Sequence, residues 1–304
     1  MQQAAIAILG VPLDLGASRR GVDMGPSALR LAGLNTKLAS IGYAIEDLGN
    51  VSVVQQESTP AGPVNAKYLG PIAKTCEKLA RLVEQAVESN QFPLVLGGDH
   101  SIAVGTVSGV SAAWRRRRQN IGLIWIDAHA DMNTPESSPS GNVHGMPLAC
   151  CIGRGPSELT ELLGYAPKVE GRNVALVGIR DVDIREREIV RGSSVTAFTM
   201  RDIDERGLRN VMEQAIRIAC EGTAGFHLSL DMDAVDPHEA PGVGTPVRGG
   251  MTYREAHLAM EMISDSRAML SMEVVEVNPV LDEANKTALL GVELVMSAMG
   301  KRIL

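Results

Sequence analysis

Ile121-Gly122-Leu123-Ile124-Trp125-Ile126-Asp127-Ala128-His129-Ala130-Asp131 is the stretch on which the fold turns. Its first six residues are apolar apart from one glycine, as expected of a strand buried on both faces of a sheet. Its last five set two acids and an imidazole at alternate positions. Similar apolar runs occupy Ala4–Val11, Phe92–Gly97, Asn173–Gly178, Val195–Phe198, Phe226–Leu230 and Met269–Val275. Between them lie helix-like stretches at Pro26–Ile41, Leu69–Glu88, Ile102–Arg118, Glu205–Cys220, Thr252–Ser264 and Lys286–Met299. Pro26 and Thr252 stand where helix starts favour them. This alternation predicts an α/β fold whose parallel sheet is covered by helices on both faces. Residues 50–68 and 133–147 read as surface loops.

Polar residues gather where the apolar runs end. Gly97-Gly98-Asp99-His100, Asp127 to Asp131, Arg180-Asp181-Val182-Asp183, Asp231-Met232-Asp233 and Glu276-Val277-Asn278-Pro279 each follow a run. Open parallel sheets bind ligands beyond the carboxyl ends of their strands. Five strand ends are therefore expected to deliver charge to one edge. Alternation at a strand end places Asp127, His129 and Asp131 on one side. Asp231 and Asp233 repeat the spacing, and His100 adds a second imidazole.

Four carboxylates and two imidazoles without cysteine disfavour structural zinc. The set is too rich in nitrogen for calcium and suits Mn²⁺, with Fe²⁺, Co²⁺ or Ni²⁺ as substitutes. Six donors exceed the need of one ion that keeps open positions. A pair of ions about 3.5–4 Å apart fits better. Any one Asp after a strand is equally well explained as a cap or turn residue. The whole set is not, because burying such groups is unfavourable unless a cation pairs with them.

Composition narrows the function further. The chain has 304 residues, 45% of them hydrophobic and only 3% aromatic, with a formal net charge of −7. So few aromatics leave no base-stacking platform, and the acidic balance does not steer the chain to nucleic acid or an anionic membrane. Cys76, Cys150, Cys151 and Cys220 show no disulfide or metal spacing and read as thiols in a reducing compartment. The N-terminal apolar run meets Pro12 too early for a membrane span. A cytoplasmic protein is expected.

The motifs Gly97-Gly98-Asp99-His100, Asp127-Ala128-His129-Ala130-Asp131 and Ser229-Leu230-Asp231-Met232-Asp233 resemble the three signatures of the ureohydrolase family, which covers arginases, agmatinases and formimidoylglutamases. The similarity runs from Gly10-Val11-Pro12 to the Glu276 region. It implies one ureohydrolase domain over residues 1–304, a three-layer α/β/α fold and a mainly parallel sheet of about eight strands. It also implies two Mn²⁺ ions per subunit, one on His100, Asp127, Asp131 and Asp231, the other on Asp127, His129, Asp231 and Asp233. Asp127 and Asp231 would then bridge.

The loop from Asn133 to His144 looks like the arginase version. There the resemblance assigns Asn133, Ser138, Ser140 and Asn142 to a substrate α-carboxylate. Asp183 would bind the α-ammonium, with Glu186 nearby. Glu276 would hold the guanidinium, since a carboxylate pairs with that planar cation through two parallel hydrogen bonds. His144 matches the family's proton-shuttling histidine and Asp131 its donor to the leaving amine. The implied reaction is hydrolysis of L-arginine to L-ornithine and urea by a hydroxide bridging the two ions. Arg254-Glu255 resembles a subunit-interface pair, so a homo-oligomer, trimer or hexamer, is expected. Asp233-Ala234-Val235-Asp236 departs from the commoner Gly-Leu wording at positions that are not ligands. The chain stops soon after its last helix, as bacterial forms do.

Two other readings stand beside this one. An agmatinase or another guanidino-acid ureohydrolase would share the metal motifs. A metal-binding regulatory relative that binds amino acids would be expected to have lost ligands, and none of the six is missing. A single-zinc deacetylase of related fold is opposed by the complete second motif together with His100. His227 reads as a core residue, and no role falls to His238, His257 or the run Arg115–Arg118.

Overall fold

The computed structural model describes residues 5–302. Ala4, the start of the first apolar run, lies outside the described residues. Among them eight strands form one sheet: β1 (Ile6–Val11), β2 (Ile45–Asn50), β3 (Phe92–Gly97), β4 (Gly122–Ile126), β5 (Val174–Ile179), β6 (Thr196–Thr199), β7 (Phe226–Asp231) and β8 (Met269–Val275). Their order is β2-β1-β3-β8-β7-β4-β5-β6, and every pairing is parallel. All carboxyl ends therefore open on one edge.

Strands β3, β4, β5 and β8 each feed two cores. Ile124 and Ile126 of β4 join one apolar cluster with Leu228, Leu230, Met272 and Val274. Leu123 and Trp125 join the other, with Val95 and Val275. Two-residue alternation sends neighbours to opposite faces, so a strand buried on both reads as continuous apolar sequence. A fully buried side chain of this size contributes about 1.5–3 kcal/mol.

The helices are α1 (Gly25–Leu31), α2 (Leu34–Ser40), α3 (Leu69–Glu88), α4 (Ala103–Arg116), α5 (Pro147–Cys151), α6 (Ser157–Thr160), α7 (Ile184–Arg191), α8 (Met200–Arg206), α9 (Leu208–Cys220), α10 (Tyr253–Ser266) and α11 (Lys286–Ala298). Two expected helices are each divided. Gly33, at φ 86°, separates α1 from α2, and Gly207, at φ 78°, separates α8 from α9. Both values lie in the left-handed region that glycine enters without penalty. Thr252 caps α10 through a reciprocal box with Glu255, so that glutamate is engaged within its own chain. Arg254 reaches Glu261 at 3.5 Å.

All four cysteines are free. Among the described residues no helix is long and apolar enough to cross a membrane. The basic run at the end of α4 is largely occupied locally: Arg116 pairs with Glu84 and Glu88, Arg115 lies over Tyr165 and Arg117 over Trp114.

Candidate metal centre and active site

Four neighbouring strands at the middle of the sheet supply the polar cluster. β3 leads into His100, β8 into Glu276, β7 into Asp231 and Asp233, and β4 into Asp127, His129 and Asp131. His100 Nδ1 lies 3.2 Å from Asp127 Oδ2, 3.1 Å from Asp131 Oδ2 and 3.2 Å from Asp231 Oδ2. His129 Nδ1 lies 3.0 Å from Asp233 Oδ2 and 3.4 Å from Asp127 Oδ1. Two groups of donor atoms result, His100–Asp127–Asp231 and Asp127–His129–Asp233, each with its atoms within 4.8 Å of one another. Asp127 belongs to both and offers one oxygen to each histidine.

The route to this convergence differs from simple strand alternation. β4 ends at Ile126, and the chain bends at residues 128–129. Asp131 takes a left-handed φ of 52°, and its carboxylate comes back to His100. Asp233 sits in a single 3₁₀ turn, Met232–Ala234, just past the end of β7. Glu276 leaves β8 with φ 62°. A left-handed backbone costs a non-glycine residue about 1–2 kcal/mol, and such strain is characteristic of functional positions.

The glycines of the first motif have a steric reason. A Cβ on Gly98 would lie 1.8 Å from the Leu13 carbonyl oxygen, so only glycine lets the loop after β1 cross there. Asp99 then fastens that loop by accepting the Gly16 N–H at 2.8 Å, together with the Ser101 N–H and hydroxyl. Gly16 in turn accepts the His144 N–H at 3.1 Å.

The donor set fits cations. His100 is buried, its ring is stacked on Trp125 at 4.0 Å, and its Nε2 meets Ser229 Oγ at 2.8 Å. Among the described residues its Nδ1 has no hydrogen-bond partner, despite three carboxylate oxygens around it. Burial first, and neighbouring acids second, push the carboxyls of Asp131, Asp231 and Asp233 up. Burial opposes charge on His100 and His129, yet the surrounding carboxylates raise both imidazoles well above their usual range. Buried acids crowded in this way demand positive charge. Divalent ions on these oxygens and imidazole nitrogens would supply it in place of protons.

Beside the cluster lies a cavity of about 190 Å³, lined by all the candidate substrate residues and by every expected ligand except Asp127 and Asp233. Glu276 is buried. Its Oε1 accepts the His100 N–H at 3.0 Å and meets His144 Nδ1 at 2.9 Å, while Oε2 has no partner among the described residues. His144 is thus not a free loop imidazole. Burial opposes its charge, but Glu276 overrides this and lifts its pKa to about 9.

Across the cavity the Ser138 hydroxyl accepts the Gly141 N–H and the Ser140 hydroxyl accepts the Asn142 N–H. Each hydroxyl keeps its own proton for a ligand acceptor. Asn142 is held by Ser18 and, at 3.4 Å, by Lys67 Nζ. Asp183 caps α7 through the Arg185 and Glu186 N–H groups and accepts Asn133 Nδ2 at 2.7 Å. Burial resists its ionisation, but these bonds hold its carboxyl low.

Glu186 behaves oppositely. Burial lifts its carboxyl to about 8, against one backbone hydrogen bond from Met132. The folded chain therefore keeps a proton that the unfolded chain has already released. Stability falls as pH rises from the unfolded pKa, an ordinary carboxyl value, to the folded one. Glu186→Gln is expected to melt higher than the parent at about pH 9 and alike at about pH 4, as read by thermal unfolding.

Several residues of the site were not assigned a role from sequence. Thr245 donates to Asp233 Oδ2 at 2.9 Å, Arg180 braces the carbonyls of Asp233 and Val247, and Asp181 lines the cavity. Ser18 and Lys67 reach the site from distant loops, so no local spacing could have marked them. His227 is a core residue, as read, but it contacts Ser271 and Glu273 inside the sheet. His238 pairs with Asp236 at the surface and His257 with Ser297.

Residues 4–300 match the model of the Arginase family. The chain belongs to the arginase family. It is 50% identical over 300 residues to the arginase of Bacillus caldovelox, covering 98% of this chain and 99% of that protein. The solved native structure of the Bacillus caldovelox arginase superposes with a TM-score of 0.95 at 48% identity, covering 99% of this chain and 100% of that one. Entamoeba histolytica arginase, solved in complex with L-ornithine, gives a TM-score of 0.90 at 30% identity, with 99% and 100% covered. The arginase family thus has here a member with an uninterrupted eight-stranded parallel sheet and all six candidate ligands gathered at one edge.

Proposed function

We propose that this chain, as one ureohydrolase domain, hydrolyses L-arginine to L-ornithine and urea. The observation that carries the reading is the unpartnered, buried Oε2 of Glu276, in a residue that lines the cavity beside the six candidate ligands. A buried carboxylate oxygen without a donor is unfavourable, and a planar guanidinium satisfies it. The arginase complex with L-ornithine at 30% identity supports the same substrate class.

Mn²⁺ is the ion we assign, on the carboxylate-rich donor set, to the groups around His100 and around His129, with Asp127 shared. Bound there, two such ions supply Lewis acidity that makes water a nucleophile near neutral pH. The chain's own residues do the rest. Glu276 orients the guanidinium so that its carbon faces the cluster, which lowers the barrier through positioning. Ser138 and Ser140 donate their free hydroxyl protons to the α-carboxylate, helped by Asn133 and Asn142. Asp183 is already ionised and takes the α-ammonium, and Glu186 ionises as that cation arrives. Asp131 takes the proton released by the attacking water and passes it to the side-chain nitrogen of ornithine as the bond between that nitrogen and the guanidinium carbon breaks. His144 carries protons between that site and solvent.

Urea release from L-arginine, agmatine and 4-guanidinobutyrate, assayed with Mn²⁺, tests the substrate. The α-carboxylate and α-ammonium each engage charge-assisted hydrogen bonds, so L-arginine is expected to lead in kcat/KM by about 100-fold or more. Faster hydrolysis of agmatine would assign the chain to a different guanidino substrate. No urea from any of them would leave a binding protein.

A further inference from the structure

Glu273 is a fully buried acid in the middle of β8. Parallel register sets Ser271 beside His227 and Glu273 beside Ser229. Alternation then puts all four side chains on one face of the two central strands. They form a polar ladder within the core. His227 Nδ1 meets Ser271 Oγ at 2.8 Å, and His227 Nε2 lies 3.3 Å from Glu273 Oε1. Ser229 Oγ donates to Glu273 Oε1 at 2.7 Å and meets His100 Nε2 at 2.8 Å. The ladder ends at the buried histidine of the candidate metal cluster, and nothing in the proposed chemistry uses its inner rungs.

We infer that Glu273 is a positioning residue for metal binding, acting on His100 through Ser229. A serine hydroxyl has one proton. Given to Glu273, that proton leaves Ser229 only as an acceptor, and the bond to His100 must come from Nε2–H. The Nδ1 lone pair of the neutral ring then faces Asp127, Asp131 and Asp231, as a metal ligand requires. Without Glu273 the hydroxyl turns and donates to Nε2. The ring proton then resides on Nδ1, where three carboxylate oxygens accept it and the ligand position is blocked. Glu273 thus selects between two hydrogen-bond arrangements of one ladder.

The inference rests on the cluster being a metal site, and the wild-type chain tests that on its own. Mn²⁺ is titrated into the chelated full-length protein, with free ion followed by electron paramagnetic resonance. The wild type is expected to bind two ions. Glu273→Met, similar in length but without an acceptor, is expected to weaken one of the two by about 10–100-fold and spare the other. Glu273→Gln keeps an acceptor for the Ser229 hydroxyl and is expected to restore that ion to within about threefold of wild type. Ser229→Ala should reproduce the loss, and adding Glu273→Met to it should add little, because both act through one bond. If Glu273→Met does not fold, the Ser229→Ala and Glu273→Gln pair carries the comparison. Wild-type affinity in Glu273→Met or Ser229→Ala, equal weakening of both ions, or a Gln variant as weak as Met overturns the inference. A wild type that binds no Mn²⁺ overturns the metal reading instead.

Discussion

Asp127→Asn is expected to remove nearly all urea release and to lower bound Mn²⁺ below two ions per chain. The side chain serves both halves of the cluster, with Oδ2 beside His100 and Oδ1 beside His129. Each oxygen also accepts an N–H: Oδ2 from Trp125 Nε1 at 2.9 Å, and Oδ1 from the His129 backbone at 2.6 Å. An amide has one oxygen. Whichever way it turns, its NH₂ meets a donor and one donor group loses its anionic ligand. A buried unsatisfied donor alone costs about 1–3 kcal/mol. With the loss of a shared ligand added, activity should fall by at least about a thousandfold. Metal analysis and urea assay on the same preparation check this. Retention of two ions with near-normal turnover would remove Asp127 from its shared position.

Glu276→Gln separates binding of the guanidinium from binding of metal. Among the described residues the carboxylate receives two donors on Oε1 and none on Oε2. A glutamine must keep its carbonyl toward the His100 N–H, which places its NH₂ where Oε2 stands. That donor would face the donors of the substrate. Losing a charge-assisted pair and creating this conflict should reduce kcat/KM by about a thousandfold, while both ions remain bound. The His144 imidazole reports the same change. Its pKa stands near 9 because Glu276 outweighs burial, so in the variant it should drop toward or below its ordinary value, as read by NMR titration of the chelated, metal-free protein. The ion pair stabilises the fold fully below the unfolded histidine pKa and ceases to do so as pH rises through about 9. The stability gap between parent and variant should accordingly close in alkali. Normal turnover in Glu276→Gln would show that the guanidinium is held elsewhere.

The buried strands were legible because burial on both faces leaves near-continuous apolar runs, and the first residues after them carried the chemistry. β2 was not, since Ile45–Asn50 lies at the sheet edge with mostly exposed, polar side chains. It is held by backbone pairing to β1, which leaves no apolar pattern. α7 was missed for a related reason. Its buried residue is Glu186, whereas Ile184 points outward at 77% exposure. The split helices show the limit of periodicity, because Gly33 and Gly207 interrupt the backbone without interrupting the apolar spacing.

At the site, the six candidate ligands could be named from type and spacing, but their geometry could not. The turn at Asp131, the left-handed Glu276 and the engagement of His144 by Glu276 depend on elements distant in sequence. Glu273 carried one legible mark, a lone charge inside an apolar run. Its meaning required the register of β8 against β7.

The most direct measurement is urea release from L-arginine by chelated protein as Mn²⁺ is returned in known equivalents. The account expects negligible turnover without metal and a rate that rises until two ions are bound per chain. Full turnover in the chelated protein, or a rate that saturates at one ion, would contradict it.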